Sequence, residues 1–530
     1  MVWESYKRYE GPDAYDAIVV GSGIGGLGTA SLLARHRDWR VLVLERHYVA
    51  GGFTHTFRRP GYEWDVGVHY VGDVHDKTSN LRAMFEGVMA EPMEWADMGR
   101  VYDTLRIGER TYQYVAGREN WRKQMQEYFP SETGTIDKYL KLIEATVRSG
   151  KLYYAEKVVP PFIATGFGWA MRARFLRRAR RTTREILESL TANQELIAVL
   201  TGLWGDYGLP PALSSFGVHA IVAAHYLNGG AYPVGGAGRI AEAIVPAIEE
   251  SGGRVLVSAE VAEILVEGGR ATGVRMADGE VFRAPVVVSD AGVANTVRLL
   301  PAAAPGRDAV AEAARRIGPS TAHLCLYGGL KRSDADLGLE RSNLWVYPST
   351  DFEGDLARFA HDPEAPLPFV YISFPSAKDP SFVKRYPGRA TIDVITAAPY
   401  EWFRRWEDQP WKRRGTEYAT FKWRLAERLL DTLYRAVPAV RGAVDMYELS
   451  TPITTRHFVH HPHGEMYGLA HTPQRFRERL LKPRTAVRGL YLTGQDISVC
   501  GLAGALAAAY VTASAIVGRP LFPKTTKQAR

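Results

Sequence analysis

Three glycines near the start of the chain have the spacing of a dinucleotide-binding turn. Gly21, Gly23 and Gly26 satisfy the pattern G-x-G-x-x-G between an apolar run at 16–20 and a helix-like stretch. In such a turn the first glycine permits a tight bend, the second lets the backbone approach a pyrophosphate, and the third allows close packing of helix against strand. The helix N-terminus then faces the phosphate charge. The pattern predicts a βαβ unit that binds a dinucleotide.

The residues after the second predicted strand indicate which dinucleotide is bound. Glu45 follows Gly26 by 19 residues, where a carboxylate accepts hydrogen bonds from an adenosine ribose and repels the 2′-phosphate of NADP. Gly51 and Gly52 come six and seven residues after Glu45. A nicotinamide dinucleotide needs no glycine pair there, whereas the longer FAD must continue past its pyrophosphate to the flavin. No second G-x-G-x-x-G follows a strand, so we expect no separate nicotinamide-nucleotide domain.

Several stretches of the sequence resemble the FAD-dependent amine oxidase and phytoene desaturase superfamily. They are GSGIGGLGTASLLA, VLVLERHYVAGGFTHTF, GYEWDVGVHYVG, YPVGGAGRIAEAI, MYGL and LYLTGQDISVCGLAGAL. Within the superfamily they are most similar to the retinol saturase and carotenoid isomerase branch. Because the matches lie at the beginning, middle and end of the chain, the resemblance implies an FAD-binding domain made of discontinuous segments.

The resemblance also implies a set of site residues, distributed over those same stretches. Those implied for the cofactor are Gly21, Gly23 and Gly26 at the pyrophosphate, Glu45 at the ribose, Arg46 on the adenosine side, Gly51, Gly52 and Thr56 along the ribityl–flavin part, the backbone of Val261 at the adenine, Asp496 at the ribityl chain, and Leu502 and Ala503 in the turn that directs helix-end amides at the flavin. Those implied for the substrate side are His463, Met466 and Tyr467.

Two side chains are candidates for moving a proton, and each has a structural alternative. His69 is an imidazole that can titrate near neutral pH, so we predict either a proton donor near the flavin or a buried histidine held by hydrogen bonds. Glu465 lies beside the flavin-facing loop at 466–469, so it is either a proton relay or a solvated loop acid.

Four histidines in the same region could suggest a metal site. They are His457, His460, His461 and His463. Imidazole is a common ligand of zinc and iron. However, no helix-borne carboxylate accompanies these histidines at metal-ligand spacing, so we predict that no metal is bound.

Composition and length restrict the class of protein. Of 530 residues, 46% are hydrophobic and 23% are charged, which is ordinary for a globular protein of several structural units. The two cysteines, Cys325 and Cys500, are too few for a disulfide framework or a cysteine-built zinc site. The first residues contain no apolar signal segment, so we expect a cytoplasmic location.

The order of predicted elements favours an α/β fold with an α+β substrate domain. Residues 1–75, 225–295 and 481–521 are assigned to a Rossmann-like, discontinuous FAD-binding domain. Residues 296–480 are assigned to a substrate-binding domain with a mixed sheet, and 76–224 to its helical, membrane-facing part. The uncharged run 497–518 is long enough to span a bilayer, but its small residues favour a buried helix.

The clearest charge cluster indicates a membrane surface as partner. The net charge is +8, and seven arginines lie between 172 and 184, directly after an uncharged, aromatic-containing stretch at 158–171. Such a segment suits peripheral binding to an anionic bilayer. No base-reading motif is present, so we expect no nucleic acid partner. A solvated basic helix is the structural alternative.

These features together predict an FAD-dependent oxidoreductase that acts on C=C bonds of a long apolar polyene or isoprenoid. The chemistry implied is hydride transfer at flavin N5, with a proton moved at the neighbouring carbon. A retinol saturase-like reductase is the first interpretation, and a carotenoid desaturase or cis–trans isomerase is the second. Further alternatives are an unsaturated acyl-lipid oxidoreductase, an amine oxidase and a non-catalytic flavin- or lipid-binding protein. The redox partner stays open.

Overall fold

The predicted βαβ unit lies near the start of the chain. The computed structural model describes residues 2–67 and 69–523, apart from the side chain of Pro161. The strands Ala17–Val20 and Val41–Leu44 are apolar and buried on both faces, as expected for the interior of a parallel sheet. The helix Ile24–Arg37 connects them, and its glycine and alanine residues allow close packing against other elements.

The βαβ unit lies in a parallel sheet that collects strands from distant parts of the chain. The sheet has six strands, all parallel to their neighbours. In spatial order they are Glu4–Ser5, Arg254–Val257, Val41–Leu44, Ala17–Val20, Val286–Ser289 and Leu490–Leu492. This parallel sheet confirms the predicted α/β fold.

A second large sheet is mixed and contains seven strands. In spatial order they are Val444–Ser450, His323–Leu330, Ala390–Ala397, Val370–Ser373, Asn343–Tyr347, Val101–Ile107 and Arg110–Val115. All pairs are antiparallel except Asn343–Tyr347 with Val101–Ile107. The segment 76–224 therefore contributes a hairpin to the mixed sheet besides its helices, because 101–115 is rich in β-branched and aromatic residues and turns at Gly108 with a positive φ of 56°. The domain boundaries stay a prediction.

Three smaller sheets complete the strands. They are the antiparallel sheet of Val261–Glu267, Arg270–Met276 and Val281–Arg283, the antiparallel sheet of Val71–Gly72, Gly230–Pro233 and Trp95–Asp97, and the hairpin of Thr56–Arg59 with Tyr62–Asp65.

The helices lie between and around the sheets. In chain order the α-helices are Ile24–Arg37, Asn80–Val88, Arg118–Tyr128, Thr133–Glu156, Pro161–Ala179, Thr183–Glu188, Gln194–Thr201, Phe216–Tyr226, Gly238–Glu249, Val293–Leu299, Arg307–Ile317, Asp334–Leu337, Phe352–His361, Pro375–Lys378, Phe382–Arg385, Gly415–Ala436, Pro452–Val459, Pro473–Arg477 and Gly501–Val517. Short 3₁₀ turns include Trp204–Tyr207 and Gln495–Ile497.

The C-terminal helix Gly501–Val517 is buried, as its small residues predict. Ala508, Ala509 and Leu506 have no exposed surface. The helix packs on Ile24–Arg37 so closely that a Cβ at Gly28 would lie 2.9 Å from the Cβ of Ala509. Within residues 2–67 and 69–523, no helix has both the length and the apolar character needed to cross a membrane.

Candidate cofactor and substrate site

A large cavity lies at the carboxyl ends of the parallel strands. It has a volume of about 330 Å³, and Val20, Leu44, Asp290 and Thr493 lie in its wall at or just after the ends of four strands. Ligands of open α/β sheets bind at this edge. We call this space the cofactor cavity.

The glycine turn forms one wall of the cofactor cavity. Gly21 and Gly23 line it, and Gly21 has a φ of +99°, which only glycine adopts readily. Gly26 does not line the cavity. A Cβ there would lie 2.3 Å from the Gly21 carbonyl oxygen, so Gly26 serves the close helix–strand packing. The helix that follows has Gly23 as N-cap with no side-chain cap and no acid in its first turn.

Glu45 connects the glycine turn to the glycine pair at 51 and 52. Its Oε2 accepts hydrogen bonds from the Ser22 amide at 2.9 Å and the Ser22 hydroxyl at 2.6 Å, and its Oε1 accepts from the His47 amide at 2.7 Å. Ser22 Oγ in turn accepts from the Gly51 amide at 3.0 Å. Glu45, Gly51 and Gly52 all line the cavity, so this network holds both glycine segments against it.

Arg46 and Val261 lie at one end of the cofactor cavity. Both line it, and Arg46 Nε is 3.0 Å from Glu260 Oε1 in a half-exposed ion pair. The strand that contains Val261 follows the parallel strand Arg254–Val257, so the chain returns here to the edge where the glycine turn lies.

The N-terminus of a second helix lies at the cofactor cavity. The helix Gly501–Val517 has Cys500 as N-cap without a side-chain cap, and its first turn contains no acid. Leu502 lines the cavity but Ala503 does not, because successive helical positions point in different directions. Asp496 lines the cavity and is held by the Leu469 and Val293 amides, at 2.9 and 2.8 Å.

Two basic side chains hold the loop before that helix. Lys157 Nζ donates to the carbonyl oxygens of Leu481 at 2.8 Å and Ile497 at 2.5 Å, and burial lowers the pKa of Lys157 to about 7. The Arg475 guanidinium donates to the carbonyl oxygens of Leu469, Gln495 and Ser498. Nothing in the local sequence around Lys157 indicates this role, since its carbonyl partners lie more than 300 positions away.

Asp290 is a cavity residue that sequence reasoning missed. It lines the cofactor cavity beside the glycine turn, and a Cβ at Gly23 would come within 2.5 Å of its Oδ2. Burial raises the pKa of Asp290 to about 8, so the side chain is a neutral acid at neutral pH. Its place directly after the strand Val286–Ser289 was the available signal, because ligand-binding residues follow parallel strands.

His69 lines the cofactor cavity as a neutral imidazole. Burial lowers the pKa of His69 to about 4. Its Nε2 lies 2.8 Å from the Phe53 carbonyl oxygen and donates to it, while Nδ1 has no hydrogen-bond partner among the described residues and faces Asp65 Oδ2 at 3.9 Å. His69 therefore presents an acceptor nitrogen. This geometry favours the second predicted role, a buried histidine held by hydrogen bonds, over a proton donor.

In the segment 463–467, some side chains line the cofactor cavity and others stabilise the loop. Met466 and Tyr467 line the cofactor cavity, whereas His463 and Glu465 do not. The His463 ring packs on Tyr400 at 5.5 Å. Glu465 is buried, not solvated, because its carboxylate accepts a hydrogen bond from the His463 amide at 2.8 Å inside the loop.

The structure thus brings most, but not all, of the sequence-predicted residues to one cavity. Those that line it are Gly21, Gly23, Glu45, Arg46, Gly51, Gly52, His69, Val261, Met466, Tyr467, Asp496 and Leu502. Those that do not are Gly26, Thr56, His463, Glu465 and Ala503. Thr56 packs instead against the turn at Gly236 and Gly238. Among residues 2–67 and 69–523, no three His, Cys, Asp or Glu side chains are grouped so as to hold a metal ion.

Comparison with known proteins identifies relatives along the whole chain. Residues 24–381 match the family described as flavin containing amine oxidoreductase. The all-trans-retinol 13,14-reductase of Danio rerio is 36% identical over 96% of this chain and 87% of that protein. A protein of the same species named inactive all-trans-retinol 13,14-reductase is 32% identical over 98% of this chain and 89% of that protein. Prolycopene isomerase 2 of an Oncidium hybrid cultivar is 26% identical over 92% of this chain and 81% of that protein.

Solved structures share the fold at low sequence identity. Putrescine oxidase bound to putrescine superposes with a TM-score of 0.63 at 14% identity, over 96% of this chain and 99% of that chain. This similarity concerns the architecture alone.

The described residues fit an FAD molecule in the cofactor cavity. Two helix N-termini face the cavity, one at the glycine turn for a pyrophosphate, where the neutral Asp290 carboxyl accepts from the Gly23 and Gly26 amides, and one at Gly501 for a flavin edge. Asp290, as a neutral acid, lies beside the glycine turn without repelling phosphate charge. The resemblance and the cofactor predicted from the sequence are both confirmed: the chain belongs to the family of flavin-containing amine oxidoreductases, with FAD as its cofactor.

Proposed function

We propose that this FAD-dependent oxidoreductase reduces a C=C bond of a long apolar polyene, with all-trans-retinol as the substrate to test first. The observation that carries the proposal is the extent of the similarity to all-trans-retinol 13,14-reductase. It covers 96% of the chain and therefore includes the mixed sheet as well as the dinucleotide-binding unit. Similarity to prolycopene isomerase is lower, at 26% identity, so isomerisation is the weaker alternative.

A second cavity next to the cofactor cavity suits such a substrate. It has a volume of about 90 Å³ and shares His47, His55, Val66, Phe458 and Val459 with the cofactor cavity. Its wall combines aromatic and aliphatic side chains with Ser450, Thr454, Thr455 and an ion pair in which Arg59 Nε donates to Glu448 Oε2 at 2.9 Å. A largely apolar space with a small set of polar groups is typical of a site that orients a lipid-like molecule by its polar end.

FAD, when bound, supplies hydride transfer, and the residues of this chain position it and control its surroundings. The glycine turn and Glu45 hold one end of the cofactor cavity in shape, while Lys157 and Arg475 hold the loop that ends at Gly501. Met466 and Tyr467 form part of the wall on the mixed-sheet side and help to exclude water.

The first test of this proposal is a single turnover. Protein loaded with FAD is reduced anaerobically with dithionite, freed of excess reductant and mixed with all-trans-retinol. We expect the oxidised flavin spectrum to return and a product heavier than retinol by two hydrogen atoms. A retinol isomer of unchanged mass would instead indicate an isomerase. Reduction of the oxidised flavin by putrescine, with no reaction of retinol, would indicate an amine oxidase. Retinol that binds without any flavin change would indicate a carrier.

We also propose that the helix Pro161–Ala179 binds an anionic membrane surface. Support comes from its exposed aromatic side chains, since Phe162, Phe167 and Trp169 are 76%, 69% and 69% exposed. Arg174 and Arg177 on the same helix are exposed, whereas Arg172 is paired with Glu156. Apolar side chains that enter the bilayer and guanidinium groups that meet phosphates would act together, at about 1 kcal/mol for each basic residue near the surface.

Cosedimentation with phosphatidylserine-containing vesicles tests the membrane proposal. The double variant Trp169→Ser/Arg174→Gln should bind vesicles several-fold more weakly than the unchanged protein and keep its flavin. The matched control is Trp423→Ser/Arg424→Gln, which removes an exposed tryptophan and an exposed arginine from the helix Gly415–Ala436. Equal binding by both double variants and the unchanged protein would contradict the proposal.

A further inference from the structure

We propose that Asp206 is the proton donor for the C=C reduction, and that Tyr70 and Asp103 keep its carboxyl group protonated. The inference rests on the function proposed above, because saturation of a C=C bond requires a proton besides the hydride. It uses a cluster that lies outside the cofactor cavity itself and in which only Tyr70 belongs to a stretch that carries the family resemblance.

The position of Asp206 is set by the turn Trp204–Tyr207, which packs behind the wall of the cofactor cavity. Gly208 follows that turn with a φ of +77°, and a Cβ there would lie 2.9 Å from the ring of Tyr467. Tyr467 lines the cofactor cavity, and so does His69, the residue before Tyr70. The turn that holds Asp206 is therefore followed by a residue in contact with Tyr467, and its hydrogen-bond partner Tyr70 is next in the chain to His69.

Asp206 has an accessible face although protein surrounds it. Its exposure is intermediate, while its environment is that of a fully buried group. The accessible face therefore opens on an internal space and not on bulk solvent. Its neighbours are the residues of a large aromatic core cluster, which includes Tyr70, Tyr226 and Trp345. A polyene that extends from the cofactor cavity into this cluster would meet the carboxyl group.

The hydrogen bonds of Tyr70 require an additional proton. Its hydroxyl oxygen lies 3.1 Å from Asp103 Oδ2 and 2.9 Å from Asp206 Oδ2. A tyrosine hydroxyl has one proton to donate, so it can serve only one of two ionised carboxylates. If both contacts are hydrogen bonds, one carboxyl group must be protonated and donate to the tyrosine oxygen.

The other partners of the two carboxyl groups indicate which one is protonated. Asp103 Oδ1 accepts hydrogen bonds from Asn343 Nδ2 at 2.9 Å and Trp345 Nε1 at 3.0 Å. These two donors stabilise a negative charge on Asp103. The side chain of Asp206 has no hydrogen-bond partner besides Tyr70 among the described residues. The arrangement is therefore an Asp206 carboxylic acid that donates to Tyr70, which donates to the Asp103 carboxylate.

The surroundings favour the same assignment, because no positive charge from the described part of the chain faces Asp206. Its ionisable neighbours are Asp103, Cys500 and the tyrosines Tyr70, Tyr102, Tyr207, Tyr226, Tyr347, Tyr371 and Tyr467. Burial raises the pKa of Asp103 to about 7, while burial together with the charge of Asp103 raises the pKa of Asp206 well above its ordinary value.

The proposed step balances as follows. One substrate carbon gains a hydride, which carries the electron pair supplied by the reduced cofactor, and the neighbouring carbon gains the Asp206 proton. The O–H bond of Asp206 breaks, and its electron pair stays on the carboxylate. A C–H bond forms on each carbon of the former double bond. Water then reprotonates Asp206, and a two-electron reductant, dithionite in the test, restores the reduced cofactor.

Infrared spectroscopy tests the protonated acid without any turnover. The difference spectrum between the unchanged protein and Asp206→Asn at neutral pH should contain a carboxylic acid C=O band, which shifts in D₂O. Tyr70→Phe should move this band to higher frequency, because the acid loses the oxygen that accepts its hydrogen bond. If Asp206→Asn does not fold, the shift caused by Tyr70→Phe provides the same test. Absence of a band assignable to Asp206 would overturn the proposal.

A single-turnover experiment then tests proton delivery. Asp206→Asn, reduced with dithionite and mixed with all-trans-retinol, should reoxidise about 10²–10⁴-fold more slowly than the unchanged protein, with flavin content unaltered. The matched control is Asp355→Asn, a buried aspartate on the helix Phe352–His361, which should react at the unchanged rate.

The outcomes separate this inference from the proposed function. Equal rates for the unchanged protein and Asp206→Asn would overturn the role of Asp206 while the reductase function stands. An unchanged protein that does not react with retinol or another polyene would overturn the reductase function, and the donor role with it, even where the carboxylic acid band is present.

Discussion

At the scale of residues, three buried titratable side chains of the cofactor cavity, His55, His69 and Asp290, are uncharged at neutral pH. Burial lowers the pKa of His55 and His69 to about 4 and raises the pKa of Asp290 to about 8. All three line the same cavity. Neutral acids and bases allow an anionic dinucleotide to enter a buried site without charge repulsion, which an ionised Asp290 would oppose.

We predict that FAD affinity falls as the pH rises through about 8. Above that pH, Asp290 ionises in the FAD-free protein, whereas the bound pyrophosphate keeps the proton on Asp290, so binding becomes coupled to proton uptake. The affinity should fall by up to about tenfold per pH unit. Titration of FAD-free protein with FAD, followed by flavin fluorescence at several pH values, measures this. Asp290→Asn should remove most of the pH dependence, and an equal dependence in that variant would contradict the prediction.

Glu45→Ala should destabilise the protein and weaken its retention of FAD. The substitution leaves the Ser22 amide, the Ser22 hydroxyl and the His47 amide without their acceptor. A buried donor left unpaired costs about 1–3 kcal/mol. Thermal unfolding and flavin loss on gel filtration measure both effects. Glu109→Ala, at an exposed turn, is the control and should change the free energy of unfolding by less than about 0.5 kcal/mol.

At the scale of elements, the two helices that begin at the cofactor cavity pack against each other, so the position of each depends on the other. The helices Ile24–Arg37 and Gly501–Val517 each direct their N-terminus at it. They pack closely where Gly28 meets Ala509. The uncharged run 497–518 is as long as a membrane span, but its small residues serve helix packing. This packing positions the N-termini of both helices.

Gly28→Ala should destabilise the protein, although alanine normally favours a helix over glycine by about 0.5–1 kcal/mol. The new Cβ would lie 2.9 Å from the Ala509 Cβ, and overpacking of this kind costs about 1–3 kcal/mol. Urea unfolding measures the effect. The double variant Gly28→Ala/Ala509→Gly should recover part of the loss. A Gly28→Ala protein more stable than the unchanged one would show that the helices can separate without cost.

At the scale of the whole molecule, the cavity depends on contacts between parts of the chain that are far apart in sequence. Its walls come from the parallel sheet, from the loop before 466–469 and from the loop ending at Gly501. Lys157, at the end of the helix Thr133–Glu156, holds the carbonyl oxygens of Leu481 and Ile497. A substitution of Lys157 should therefore alter the loop before Gly501, near the C-terminal end of the chain.

Lys157→Met should destabilise the protein, and the loss relative to the unchanged protein should grow between about pH 7 and 10. Burial lowers the pKa of Lys157 to about 7, so in that range the unfolded chain binds the proton and the folded chain does not. The stability contributed by this lysine therefore rises with pH, by up to about 1.4 kcal/mol per unit. Urea unfolding of both proteins at several pH values measures the difference, and a difference that does not vary with pH would contradict the assignment.

The confirmed part of the sequence analysis rests on local patterns. Strand Ala17–Val20, the glycine turn and strand Val41–Leu44 could be predicted because their conformation depends on neighbouring residues: apolar runs, and a glycine where φ is positive. The cofactor followed from the same spacing. The position of Thr56 and Glu465 away from the cavity could not be predicted, because a side chain's direction depends on what packs against it.

By itself, the sequence determined the βαβ unit, the class of cofactor and the family. Only the tertiary structure decided the partners of the isolated polar residues. Asp290, Lys157 and Asp206 stand in no motif, and each acquires its charge state from groups brought close by packing. Local order along the chain encodes turns and periodicity, whereas burial and charge pairing arise only when distant segments exclude water together.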